Sequence, residues 1–93
     1  MNICWRPRAA DDFETLIASS SSGHIANASR DKSLIETRIQ QLVRFETLGR
    51  KTRRVGVREL PIEGTPYVVV NRRLGEEILI LRIFHNGSAI QAR

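Results

Sequence analysis

The densest set of chemistry-bearing side chains in this 93-residue chain is a basic run, Arg50, Lys51, Arg53, Arg54 and Arg58. Only Thr52 interrupts its first five positions, and the spacing predicts that the run lies on a loop. Guanidinium and ammonium groups this close together suit phosphate oxygens, where each contact adds affinity and salt dependence. They suit the carboxylates of an acidic protein equally well, and a merely solvated loop carries the same pattern. No aromatic residue is interleaved, so a platform for stacking single-stranded bases is not indicated. Arg82 is a different case, a charge inside the apolar run Ile78-Leu-Ile-Leu-Arg-Ile-Phe84. A charge in a covered strand must be paired, here with Glu59 or Glu77, or must face an open groove. Strict alternation puts Ile80, Arg82 and Phe84 on one strand face and Ile83 and His85 on the other. His85 has the proton affinity of a general acid or base near neutral pH, and Glu59 is the nearby acid that could work with it. Glu59, Arg82 and His85 are therefore the set to consider if the chain cleaves a phosphodiester. His24 is more weakly indicated.

Other chemistries find little support. There is no phosphate loop, dinucleotide fingerprint or nucleophile elbow, and no cofactor is expected. Cys4 is the only cysteine, so neither a disulfide framework nor a zinc site can be built from it. It reads as a small buried apolar residue. No apolar run reaches the ~18 residues of a membrane span and no signal-peptide core precedes the first element, so a cytoplasmic protein is expected. A net charge of +5 suits an acidic partner and carries no information about fold.

Residues 1–93 make one domain, and 41% hydrophobic content supports a real core. Ile3 to Trp5 is a short strand candidate. Pro7 opens a helix to about Ser19, with Asp11, Asp12 and Glu14 in its first turns. Ala10, Phe13, Leu16 and Ile17 form its apolar face. Ser19-Ser-Ser-Ser-Gly23 reads as a connector. A second helix starts between Ala26 and Ser33, where Ser33 and Glu36 fit a capping box, and ends after Leu48 at Gly49. Its stripe is Leu34, Ile35, Ile39, Leu42 and Val43. Val55 to Leu60, Tyr67 to Arg72 and Ile78 to His85 then read as strands, the last two joined by a tight loop at Leu74-Gly75-Glu76. Tyr67 reads as a half-buried core aromatic, and the tail from Asn86 as frayed. The result is a two-layer α+β domain of order β-α-α-β-β-β, a helical hairpin packed on a small, mainly antiparallel sheet.

Four segments, taken in order, resemble the toxins of the ParE/RelE superfamily of type II toxin–antitoxin systems. They are Trp5-Arg-Pro-Arg-Ala-Ala-Asp-Asp-Phe-Glu14, Leu48-Gly49-Arg50, Arg58-Glu-Leu-Pro61 with Gly64-Thr-Pro-Tyr-Val-Val-Val70, and Ile78 to His85. The family's β-α-α-β-β-β topology agrees with the order above. The resemblance implies one of two activities: RelE-like members cut mRNA on the ribosome, and ParE-like members poison DNA gyrase. RelE-like nucleases would carry an arginine after the tyrosine of the penultimate strand, where this chain has Val68. They would carry lysines on the preceding strand, where it has Val57, Glu59 and Leu60. Their C-terminal catalytic groups would fall in Asn86 to Arg93, which offers only Arg93. Without those cations a cleaving site lacks its main electrostatic stabilisation.

The resemblance thus implies a ParE-like toxin with no catalytic residues and no metal. It would bind a protein target, DNA gyrase, and be neutralised by a cognate antitoxin. Arg50, Lys51, Arg53, Arg54, Arg58 and Arg82 are the candidate target or antitoxin contacts. The alternatives are a ribosome-dependent endoribonuclease acting on mRNA through Glu59, Arg82 and His85, and a degenerate, non-toxic binding module. The last is suggested by Asn71, which stands where ParE-like sequences commonly have tyrosine.

Overall fold

The computed structural model describes residues 2–21, 25–45 and 47–85; the side chains of residues 19–21 and 25–28 lie outside that description. Its elements are β1 (Asn2–Trp5), α1 (Pro7–Ser21), α2 (Ile25–Arg44), β2 (Arg50–Lys51), β3 (Val57–Pro61), β4 (Tyr67–Leu74) and β5 (Glu77–His85). The fold is α+β as expected, with one strand added, the two-residue β2. All five strands form one sheet in the order β1-β5-β4-β3-β2. β1 runs parallel to β5, and every other pair is antiparallel. The helical hairpin is the crossover that a parallel pairing of first and last strands requires.

The two helices pack on one face of the sheet. Ala9, Ile35, Ile39 and Leu42 meet Leu60, Ile62, Tyr67, Val69, Ile78, Ile80 and Ile83 in one buried cluster. In α1 Phe13 and Leu16 of the expected face pack on the core, but the alanine beside them is Ala9 and not Ala10. Ala9 is fully buried and Ala10 exposed, so Ala9, Phe13 and Leu16 make the contact at helical spacing. Phe13 lies against Trp5, with ring centroids 5.3 Å apart. The acids begin in the second turn rather than the first, beyond most of the helix dipole's reach. Cys4 pairs with Leu79 on the opposite sheet face and is half-buried, not buried.

Helix α2 departs from expectation at both ends. It is continuous from Ile25, so Ser33 is an exposed mid-helix residue and not a cap. It stops at Arg44, four residues short of Leu48. The Phe45 N–H still reaches Gln41 O, but the Leu48 N–H turns back to Phe45 O. The last-turn carbonyl of Leu42 is satisfied from the sheet, by Arg73 Nη2 at 3.0 Å. Gly49 therefore does a different job: its φ of 94° turns the chain into β2 beside the backbone of β3.

Pairing of β4 with β5 shifts register between Val70 and Asn71. Val70 faces Arg82, Asn71 faces Ile80, and Leu81 is the extra residue. This bulge puts Ile78, Ile80, Ile83 and His85 on the helix side and leaves Leu79, Arg82 and Phe84 on the open side. Ile80 and Arg82 do not share a face, contrary to strict alternation. Gly75 takes the hairpin turn with φ 61°.

Candidate functional site

The basic run is not one loop. Arg50 and Lys51 form β2, Arg58 is on β3, and only Arg53 and Arg54 are on the connection. That connection is held tightly. Thr52 Oγ1 donates to Val57 O at 3.0 Å and accepts from the Arg54 N–H, while the Val57 N–H returns to Arg54 O. The five cations then divide by what they touch. Arg50 lies opposite Glu59 on the open face, with Nη2 3.4 Å from Oε1. Arg58 is on the helix side, and its Nη1 donates to Thr47 O and Gly49 O at 3.3 and 3.1 Å. It ties down the segment between α2 and β2. Lys51, Arg53 and Arg54 are exposed, and none has a carboxylate partner among the described residues.

Arg82 is paired with neither Glu59 nor Glu77. Glu77 begins β5, five residues away, and Glu59 is on β3 with β4 between. The partner is Asp12 of α1, 70 residues distant in sequence. Arg82 Nε donates to Oδ2 at 2.7 Å and Nη2 to Oδ1 at 3.2 Å. The same Oδ2 accepts the Ile83 N–H at 3.0 Å. The reason is visible in the sheet. β1 pairs with β5 only as far as Ile80, where the Arg6 N–H closes the ladder. Beyond it the β5 edge is bare, and an unpaired edge amide must find an acceptor. Asp12, one turn into α1, supplies it.

Burial pushes the Asp12 carboxyl up. The Arg82 hydrogen bond, the Ile83 N–H and the charges of Arg82 and Arg8 outweigh that, so it titrates below its ordinary value. The hydrogen bond and charge of Asp12 in turn raise Arg82, against a smaller effect of burial. A carboxyl lowered in the fold contributes stability above its unfolded value, ~3.9, and loses it as pH falls through the folded value. Solvent screens the pair, since the Arg82 side chain is 43% exposed. Asp12→Asn is expected to cost about 1 kcal/mol at pH 7. Thermal unfolding from pH 7 to pH 3 should show the gap to the parent closing below about pH 4. A gap independent of pH would remove the ion pair from the account of stability.

Glu59, Arg82 and His85 do not converge. Glu59 and Arg82 sit on β3 and β5 either side of Val70, about 9–10 Å apart by strand spacing. His85 is on the helix side, edge-on to Tyr67 with ring centroids 5.7 Å apart at 82°. Tyr67 is buried rather than half-buried. Asn71 is 4% exposed, on the helix side, and its Nδ2 reaches Arg58 O at 3.5 Å. His24 and the tail from Asn86 to Arg93 lie outside the described residues. Asp12 is the residue that reading the sequence missed as a partner; its signal was an acid in the helix that follows the strand paired with β5.

Against known proteins, the family model described as "ParE toxin of type II toxin-antitoxin system, parDE" matches residues 3–90. Among solved structures, the chain resembles one described as the chromosomal ParDE TA system from P. aeruginosa. That likeness has 28% identity and a TM-score of 0.80, over 91% of this chain and 95% of the other. A copper-bound mutant toxin from Helicobacter pylori shares the fold at 15% identity and TM-score 0.65, over 95% and 97% of the two chains. A search of curated proteins finds no match.

Proposed function

The chain belongs to the ParE toxin family of type II toxin–antitoxin systems, and from that premise we propose that it inhibits DNA gyrase by binding it, without cleaving RNA. The observation that carries this reading is the separation of the groups a nuclease would need. Glu59 is beside Arg50, Arg82 is held by Asp12, and His85 is across the sheet against Tyr67. Glu59, Arg82 and His85 so placed do not surround one phosphate as acid, base and stabilising cation, which supports binding over cleavage. By contrast Lys51 at the end of β2 and Arg53 and Arg54 on the braced connection after it are exposed and have no carboxylate partner among the described residues, as contacts that steer and orient an acidic partner should. The place of action is the cytoplasm, where gyrase acts on DNA; no helix among the described residues is long and apolar enough to cross a membrane.

Neutralisation by a cognate antitoxin belongs to the same proposal. A groove of about 390 Å³ runs along α2, lined by residues that include Leu34, Arg38, Gln41 and Ile62. Arg38 Nη1 donates to Gln41 Oε1, but its buried Nε has no hydrogen-bond partner among the described residues. An amphipathic antitoxin segment would fill the groove, with an acidic or carbonyl acceptor beside the Arg38 guanidinium. Asn71 is compatible with an active toxin. Buried under the helix layer, it alters the packing beneath the basic run and not the exposed surface.

Pulse-labelling after induced expression tests the proposal. DNA synthesis should fail first, with a DNA-damage response. Early loss of protein synthesis with cleaved mRNA would overturn it in favour of the ribosomal nuclease, and harmless overexpression in favour of a non-toxic module.

A further inference from the structure

Two arginines that flank Pro7 acquire a meaning only in three dimensions. Arg6, Pro7 and Arg8 share one concavity of about 410 Å³ with Arg54, Leu81 and Arg82. Four arginines thus line it from three separate parts of the chain: the entry to α1, the β2–β3 connection and the bulge of β5. Asp12 is the carboxylate that faces them. It is bound to Arg82 and feels the charge of Arg8. Arg6, Arg8 and Arg54 are exposed and form no ion pair among the described residues. The lining thus carries four arginines and no acid, and with Asp12 bound to Arg82 beside it a net +3 remains around the concavity.

We propose that this four-arginine cavity is a binding site for the phosphodiester backbone of duplex nucleic acid. Arginines that line one concavity repel one another unless an anion joins them, and arginine's planar fork matches phosphate oxygens with two parallel hydrogen bonds. The cation track continues beyond the cavity, as a backbone ligand requires. Arg72, exposed on the open face, lies beside the Gly56 turn of the connection that carries Arg54. The cavity's lining residues include no aromatic, so nothing in it would stack unpaired bases, and a duplex is favoured over a single strand. The site is separate from the α2 groove; it shares Arg54 with the proposed protein contacts, but its test reads nucleic-acid binding and does not depend on gyrase being the target.

Fluorescence anisotropy with the full chain tests it. The probes are a labelled 20-base-pair DNA duplex, a single-stranded RNA of the same length and a poly-glutamate peptide. Arg6→Ala with Arg54→Ala removes two exposed groups that make no side-chain hydrogen bond or ion pair among the described residues, so the fold should be retained. Duplex affinity should fall on the order of tenfold or more, and the salt slope of binding should drop by about 2. Lys32→Ala with Arg44→Ala removes the same charge from the helix layer and should leave both unchanged. Equal losses in the two double variants would overturn the site, leaving only the effect of net charge. Tighter binding of the peptide or the RNA than of the duplex, abolished by the Arg6/Arg54 pair, would also overturn it.

Discussion

Lys51→Glu with Arg53→Glu should abolish growth arrest by this chain while leaving its melting temperature unchanged. Each reversal replaces a positive charge with a negative one, a change of two, so the net charge falls from +5 to +1. Both side chains are exposed and neither makes a salt bridge among the described residues, so the folded state loses no partner. Surface substitutions of that kind cost within ~0.5 kcal/mol. Against an acidic partner, like charges brought into register cost several kcal/mol, enough to lower affinity about 100-fold. Arg50→Glu would be a poorer choice, because it breaks the pair with Glu59 as well, and Arg58→Glu poorer still, because Arg58 holds Thr47 O and Gly49 O. Neither Lys51 nor Arg53 lines the four-arginine cavity, so this result stands apart from nucleic-acid binding. Growth curves after induction, with thermal unfolding of the purified variant, check it; full toxicity in a folded variant would remove the basic run from the target interface.

The second large effect is on stability. Gly49→Ala is expected to cost about 3 kcal/mol, from two sources. A φ of 94° is a conformation that residues with a Cβ rarely adopt, at about 1–2 kcal/mol. The added Cβ would also stand 2.9 Å from Glu59 O, a backbone atom of β3 that can move only with its strand. The strain reaches further, since Gly49 O is an acceptor of Arg58 and Arg50 begins β2. At roughly 4–8 °C per kcal/mol for a domain of this size, the midpoint should fall about 12–24 °C. Gly75→Ala is the comparison. Its φ of 61° lies in the ordinary left-handed region and nothing stands within 4 Å of the new Cβ, so the cost should be about 1 kcal/mol. Equal losses at the two glycines, read by thermal unfolding, would mean that the close approach to β3 is relieved at no cost.

Gly49 also shows where the sequence could be read and where it could not. A glycine after an apolar helical stripe reads as a helix terminator, and the stripe Leu34, Ile35, Ile39, Leu42 and Val43 was correctly assigned to the core face. What no local pattern reveals is that Arg73, from β4, satisfies Leu42 O and that the helix stops at Arg44. The element order was legible because apolar spacing changes from helical to strand-like after Gly49, and because Gly75 and the prolines punctuate the strands. The bulge at Leu81 was not legible. In a run that is apolar at nearly every position, an extra residue leaves no mark on the alternation, so Ile80 and Arg82 were expected on one face. The Asp12–Arg82 pair follows from that bulge and from the shortness of β1, both tertiary facts. Two adjacent alanines, Ala9 and Ala10, offer no way to choose which one is buried. In the site, the cations were legible by composition alone. Which of them are committed to the fold, as Arg58 is, and that Arg6 and Arg8 join Arg54 and Arg82, depended on chain crossings that sequence spacing does not encode.

The chain is proposed to act by occupying gyrase and not by cutting RNA. The most direct measurement puts the purified protein, in parallel, into a DNA supercoiling reaction with gyrase and into a translating ribosome preparation with a defined mRNA. Inhibited supercoiling with intact mRNA is the result expected. Cleaved mRNA with supercoiling unaffected would contradict it, and would require Glu59, Arg82 and His85 to assemble on the ribosome from the two sides of a sheet that holds them apart.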